Sequence, residues 1–362
     1  MPVDLGSSAT TTVTATAYSA LRAHLGLPAG KPRTLSLTAG SILPDPDILE
    51  LFRVDPRGVK PGGGSGPPAE VRVEGDYEVF RNEWGIGFRR PRDGGLYFDQ
   101  AVHPLEGRSR DFIRDYPFPR GDDPARVRGL RDECRALRDG GHPVVMGQSF
   151  GTGILHGGTA LFGFEDYFCR MMLEPEVVDE VSERLLEGKI AFWDAALKEA
   201  GGLIDVVTEA DDLGTQRGPF IGLEDYRRRI KPFQRRLFSF IKSRAPGVKI
   251  LFHSCGAVAD FIPDLIDIGV DALNPVQVGA WGMDPASLKR RYGRDICFWG
   301  GGVDTQRVLP RGSPREVKED VRRRLPVLLD GGGYVFAAVH NIQADVPPAN
   351  VVALFEAVDE FR

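Results

Sequence analysis

Residues 249–277 read KILFHSCGAVADFIPDLIDIGVDALNPVQ. Ile250, Leu251 and Phe252 form a short unbroken apolar run, as in a strand buried on both faces. FIPDLIDIG, 261–269, brings its apolar residues round at helical intervals and stops at a glycine. DALNP, 271–275, then opens a second buried strand. Strand, amphipathic helix and strand in such quick succession predict a parallel pair joined by a crossover helix.

The same alternation runs outward in both directions. Upstream, a helix pattern at 123–138 precedes PVVMG (143–147), and a long one at 174–199 precedes LIDVVTE (203–209). Tyr226, Ile230, Phe233, Leu237 and Ile241 trace one helix face leading into VKILFHS. Downstream, PASLKRRYG leads to ICFWGGG (296–302). Val317, Val321, Leu325 and Leu328 lead to GYVFAAVH (333–340), and VVALFEAVDEF closes the chain. Strands are therefore expected from about 143, 203, 249, 271, 296 and 333, with Pro2–Leu5 and Leu51–Val54 as two earlier candidates. Eight parallel strands with outer helices make a (β/α)8 TIM barrel, here a single domain over 1–362. An open doubly wound sheet is the alternative, but no strand is followed by GxGxxG opening a helix. One stretch departs from the pattern, an insertion at about 60–122. It holds the loop KPGGGSGPP (60–68) and, at 71–100, β-prone pieces broken by turn signals, which predict antiparallel hairpins.

The 362 residues carry 46 Lys and Arg against 51 Asp and Glu, a formal net charge of −5. That balance argues against nucleic acid or an anionic membrane surface as the main partner. No apolar run is long enough to cross a bilayer, and MPVDLGSSATTT lacks the basic and apolar regions of a signal peptide. Four cysteines are too few for a disulfide framework, so a reducing cytoplasm is expected.

His253 and Cys255 stand two apart at a strand end, so both can reach one point on the rim where barrel active sites lie. His340 ends the last strand and faces the same mouth. Imidazole and thiolate suit Zn²⁺, and three ligands with a fourth position free describe an open catalytic site. The competing view of the pair is a packed cysteine beside a hydrogen-bonded histidine. Glu209-Ala210-Asp211-Asp212 closes another strand. These carboxylates can serve as a fourth ligand, a partner for a ligating histidine or a general base, or simply cap a helix. Glu209 and Asp211 rank ahead of Asp212 for the inward face and are the catalytic candidates. His156, Gln216, Gln306 and Asn341 are candidates for binding substrate. GQSFG (147–151) matches the GxSxG elbow, although a glycine-rich turn produces the pattern without any triad, and Ser149 is a weak nucleophile candidate. Cys134, Cys169 and Cys297 read as core thiols.

VDLGSSATTT (3–12), DDLGTQRGPFI (211–221), the 249–277 stretch, FWGGGVDTQRVLP (298–310) and GYVFAAVHNIQADVPPANVVALF (333–355) together resemble the uroporphyrinogen decarboxylase superfamily, in its methyltransferase branch. The resemblance spans essentially the whole chain and independently implies a (β/α)8 barrel. Decarboxylases of the superfamily use no metal and carry an arginine-rich RQAGRY motif after the first strand, where this chain has Gly6-Ser7-Ser8-Ala9-Thr10. They also place an aspartate after the second strand, where this chain reads Arg57-Gly58-Val59-Lys60 with Asp55 just before it. A polycarboxylate tetrapyrrole would need the missing cations. The other branch binds zinc through an HxC pair and a later cysteine. His253 and Cys255 match the pair, and His340 stands where that cysteine would be. This branch implies methyl transfer between a corrinoid on a separate protein and a thiol or methoxylated small molecule, since the chain has no DxHxxG cobalamin motif. The insertion could then serve as a lid or docking surface, and a homodimer is possible. The alternatives are a decarboxylase-like lyase acting on a tetrapyrrole and a non-catalytic barrel that binds a small ligand.

Overall fold

A computed structural model describes residues 1–147 and 150–362, so Ser149 of the elbow-like pattern lies outside the described residues. Its strands, in chain order, are β1 Val13–Thr14, β2 Arg33–Ser36, β3 Ser41–Leu43, β4 Arg57–Val59, β5 Arg72–Glu74, β6 Tyr77–Arg81, β7 Gly87–Pro91, β8 Asp99–Val102, β9 Val144–Met146, β10 Val206–Ala210, β11 Lys249–His253, β12 Ala272–Asn274, β13 Cys297–Trp299 and β14 Tyr334–Val335. Seven of them form a curled parallel sheet in the order β14-β13-β12-β11-β10-β9-β4. Residues 2–5 lie in the remaining gap. The Asp4 N–H donates to the Phe336 carbonyl at 2.8 Å, and the Asp55 N–H donates to the Val3 carbonyl at 2.9 Å. The result is a (β/α)8 barrel. Pro2–Leu5 is its first strand, joined to the last through the Val3–Phe336 bridge. The second strand is not Leu51–Val54. Leu51 ends the helix Pro46–Leu51, whose Pro46 starts it, and β4 follows six residues later.

Alternation along the strands sorts side chains into two cores. Val145, Leu251, Ala272, Trp299 and Ala337 point to the axis and plug the barrel. Their chain neighbours, such as Val144, Ile250, Phe252 and Phe298, face the helices as part of the larger core. Val317, Val321, Leu325 and Leu328 are all fully buried on Pro314–Leu329, a helix started by a Ser313/Glu316 capping box. The Tyr226–Ile241 stripe is split between two helices, Leu223–Arg229 and Lys231–Arg244. Pro232 sits in the first turn of the second, where its missing N–H costs no hydrogen bond. Cys134 is buried and Cys297 half-buried, but Cys169 is exposed. It lies on the solvent side of the helix Phe164–Leu173.

Two smaller sheets sit on the barrel. β1, β3 and β2 form one, tethered to the end of the last barrel strand by the Thr14 N–H, which donates to the Ile342 carbonyl at 2.9 Å. β5-β6-β7-β8 form the other, an antiparallel sheet between β4 and β9 where hairpins were expected. Phe80 stacks on Phe88 and meets Phe98 edge-on to make its core, and Trp84 packs on Phe118 and Phe150 to fasten it to the barrel. Among the described residues no helix is long and apolar enough to cross a membrane.

Candidate metal centre

Leu251 points to the barrel axis, so His253, two residues on, points the same way at the C-terminal end of β11. Its ring is held from behind. Asn274, at the end of β12, donates its amide to the Trp299 carbonyl at 2.9 Å, which turns its oxygen toward His253. The His253 Nδ1–H donates to that oxygen at 2.6 Å. Nε2 is then the lone-pair nitrogen, the tautomer that binds metals, and it lies 3.4 Å from Cys255 Sγ. His340 comes in from beyond β14, its ring centroid 5.5 Å from that of His253. One donor atom from each of His253, Cys255 and His340 falls within 4.8 Å of the other two.

Several features show that this trio suits a cation. Among the described residues, the buried His340 Nδ1 has no hydrogen-bond partner, an unusual cost for a polar atom unless a ligand meets it. Burial, with His253 alongside, pushes the His340 imidazole down to about 4, so it is neutral at neutral pH and one ring nitrogen keeps its lone pair. Burial first and the Asp212 carboxylate second push the Cys255 thiol well above its usual value. A bound cation reverses that preference, because it stabilises the thiolate directly. Two nitrogens and one sulfur match the donor chemistry of zinc.

The run that closes β10 divides three ways. Glu209 is not at the mouth. It alternates with the inward residues of β10 and points to the helix layer, where Lys189 Nζ lies at 2.8 Å and the Trp193 indole donates at 2.6 Å. Both members of this ion pair are 2% exposed, so Glu209 is held in the helix layer and not at the mouth where it was expected. Asp211 is likewise occupied. It accepts the backbone N–H groups of Ile154, Leu155 and His156 and the Gln234 amide, which ties the first turn of the helix Ile154–Phe162 to β10. The helix-capping alternative describes it, with three bonds on Oδ2 and one on Oδ1. Asp212, ranked behind both, is the one that reaches the site. Its Oδ1 accepts the Cys255 N–H at 2.9 Å, and its Oδ2 lies 3.6 Å from His156 Nδ1. Burial alone would raise its pKa, but His156, His253 and the Cys255 N–H hold it below the usual carboxylate range.

His156 stands at the mouth, its Nε2 3.4 Å from the Gln100 amide nitrogen of the inserted sheet. Asn341 is 2% exposed. It accepts the Thr12 N–H at 3.3 Å while its own Nδ2 has no partner among the described residues. Gln216 and Gln306 are both exposed and are not among the groups around the trio. Gln216 instead lines an open cavity of about 720 Å³ with Arg217 and Trp281. Asn274, Gln100 and Tyr97 were not singled out from the letters. Tyr97 lies in the turn between β7 and β8, and burial, Cys255 and Asp345 together push its phenol up to about 12. The signal for Asn274 was its place at a strand end before a proline. Tyr97 and Gln100 carried no such mark, because nothing local says where an inserted sheet will fold.

The family model for uroporphyrinogen decarboxylase (URO-D) matches residues 117–361. The chain belongs to the uroporphyrinogen decarboxylase family. Among curated proteins of that name, the one from Methylococcus capsulatus is 27% identical over 199 residues, 55% of this chain and 53% of its own length. The one from Psychromonas ingrahamii is 25% identical over 278 residues, 74% of this chain and 73% of its own. The chain thus spans about half the length of the first of these relatives. A methyltransferase from Methanosarcina mazei superposes with a TM-score of 0.63 over 99% of this chain and 94% of its own, at 17% identity. At that identity the superposition speaks for the fold alone.

Proposed function

We propose that this URO-D family member is a zinc-dependent methyltransferase, moving a methyl group between a corrinoid carried on a separate protein and a thiol or methoxylated small molecule. The observation that carries the reading is the convergence of His253, Cys255 and His340 at the barrel mouth. Bound there, zinc would favour the thiolate form of a thiol or polarise a methoxy oxygen. The chain's own residues do the rest. Asn274 keeps the His253 lone pair pointed at the mouth, and Asp212 fixes the Cys255 backbone. Gln100 brings the inserted sheet to His156 at the mouth, where it can wall off water. A reducing compartment such as the cytoplasm suits a site built on a free thiol.

The test is elemental analysis of the purified protein beside Cys255→Ser and His340→Ala, followed by methyl transfer from methylcobalamin to small thiols. The expected result is about one zinc per chain, lost in both variants. Retention in His340→Ala would remove that residue from the ligand set. A wild-type protein that takes up no supplied zinc, yet binds porphyrinogen tightly, would favour the decarboxylase chemistry for which the curated relatives are named. Lys60 makes that second outcome the less expected one. It follows the second barrel strand, in the stretch where the resemblance places the aspartate of the decarboxylases, and donates to the Thr34 carbonyl at 2.9 Å.

A further inference from the structure

We propose that His156, set between Asp212 and Gln100, is the base that takes the proton from a thiol entering the metal centre. The inference rests on the thiol-acceptor form of the function above. His156 lies in the first turn of the helix Ile154–Phe162, and its backbone N–H donates to Asp211 Oδ1 at 2.8 Å, so the ring's position is fixed from β10. The side chain is 32% exposed, which leaves it reachable from the mouth. Its two nitrogens face unlike partners. The Gln100 amide nitrogen, a donor, lies 3.4 Å from Nε2, so Nε2 carries the lone pair. Nδ1 therefore carries the hydrogen, and it faces Asp212 Oδ2 at 3.6 Å. A carboxylate behind Nδ1 and a lone pair forward on Nε2 is the arrangement of a general base. The Gln100 contact is long, so an incoming S–H group can displace it.

One carboxylate connects this base to the trio, because the other oxygen of Asp212 accepts the Cys255 N–H. The charged groups that face His156 are Asp211 and Asp212, both from the end of β10. Gln100, from β8, is neutral, and His253 and His340 also lie close enough to act on Asp212. The step is a simple proton transfer. The S–H bond of the thiol breaks with its electron pair left on sulfur, an N–H bond forms at Nε2, and the charge stays in the site as an imidazolium beside Asp212.

The experiment is isothermal titration of 2-mercaptoethanol into zinc-loaded protein near neutral pH, in phosphate and in Tris. The different ionisation enthalpies of these buffers give the number of protons released per thiol bound. Wild type should release close to none, because the proton moves to His156. His156→Gln should release about one to the buffer while keeping its zinc, and its methyl-transfer rate should fall by about 100-fold or more. If His156→Gln does not fold, Asp212→Asn takes its place. It keeps an acceptor for the Cys255 N–H, weakens the base, and should release a fraction of a proton. Equal release by wild type and a zinc-loaded variant would overturn the role of His156 and leave the zinc reading standing. A zinc-loaded wild type that binds no thiol would overturn the inference together with the thiol-acceptor reading.

Discussion

The carboxylates Glu209 and Asp211, at the end of β10, have their hydrogen-bonding positions filled by the protein itself, whereas the donors at the ends of β11 and β14 keep theirs open. Glu209 is closed off by Lys189 and Trp193, and Asp211 by three backbone N–H groups and the Gln234 amide. Across the mouth, His340 Nδ1 and Asn341 Nδ2 are buried without partners among the described residues, and His253 Nε2 faces Cys255. Both regions are rich in groups that could do chemistry. Satisfied groups hold the fold, and buried polar atoms left unsatisfied mark where a ligand is expected. Asp212 belongs to both, with one oxygen on the Cys255 backbone and the other toward His156.

The largest effect that can break this comparison lies at Glu209. Glu209→Ala leaves Lys189 as a buried, uncompensated charge and should cost about 3–5 kcal/mol in urea unfolding, while the folded fraction keeps its full metal content. A variant of unchanged stability that loses methyl transfer would put Glu209 in the chemistry after all. Asp211→Ala comes next. It strips the acceptor from three backbone N–H groups and should cost roughly 2–3 kcal/mol, again without loss of metal from the folded protein.

These two residues also show how far the letters carry. On β11 the reading worked because period two is robust in a short strand. Once Leu251 is inside, His253 is too, and Cys255 follows round the turn. The same rule applied to β10 puts Val206, Thr208 and Ala210 inward and Glu209 outward, once the inward set is fixed by its pairing with Leu251 and His253. That pairing is tertiary information. The fate of Asp211 and Asp212 depends on where the helix Ile154–Phe162 begins relative to β10, which is set by packing and not by spacing. Leu51–Val54 failed as a strand because an apolar run that short fits a helix end equally well. The barrel was legible because errors in single elements do not alter a repeated alternation. The walls of the mouth were not, since Tyr97 and Gln100 arrive on an inserted sheet with its own aromatic core.

A smaller effect sharpens the open side of the comparison. Asn274→Ala removes the acceptor that fixes the His253 tautomer. Zinc affinity, measured by competition with a chromophoric chelator, should fall about 10–100-fold, with the zinc count at saturation unchanged. Unaltered affinity would mean that His253 is oriented by packing alone.

The smallest effect concerns a carboxylate that is satisfied yet exposed. Asp123 accepts the Ser65 N–H and hydroxyl, both at 2.7 Å, and the Ala125 N–H at 2.9 Å. These bonds pin the glycine-rich loop 60–68 and hold the Asp123 carboxyl down to about 2, against an ordinary value of 3.8. A carboxyl whose folded pKa is depressed contributes stability above its unfolded value and loses it as pH falls through the folded one. The loop should therefore stay anchored down to about pH 3.8 and loosen between there and about 2. Pepsin should begin to nick residues 60–68 in that interval, whereas in Asp123→Ala the same loop should already be cut by a neutral protease. Nicking that ignores both pH and Asp123 would show that glycine content, and not this carboxylate, sets the mobility of the loop.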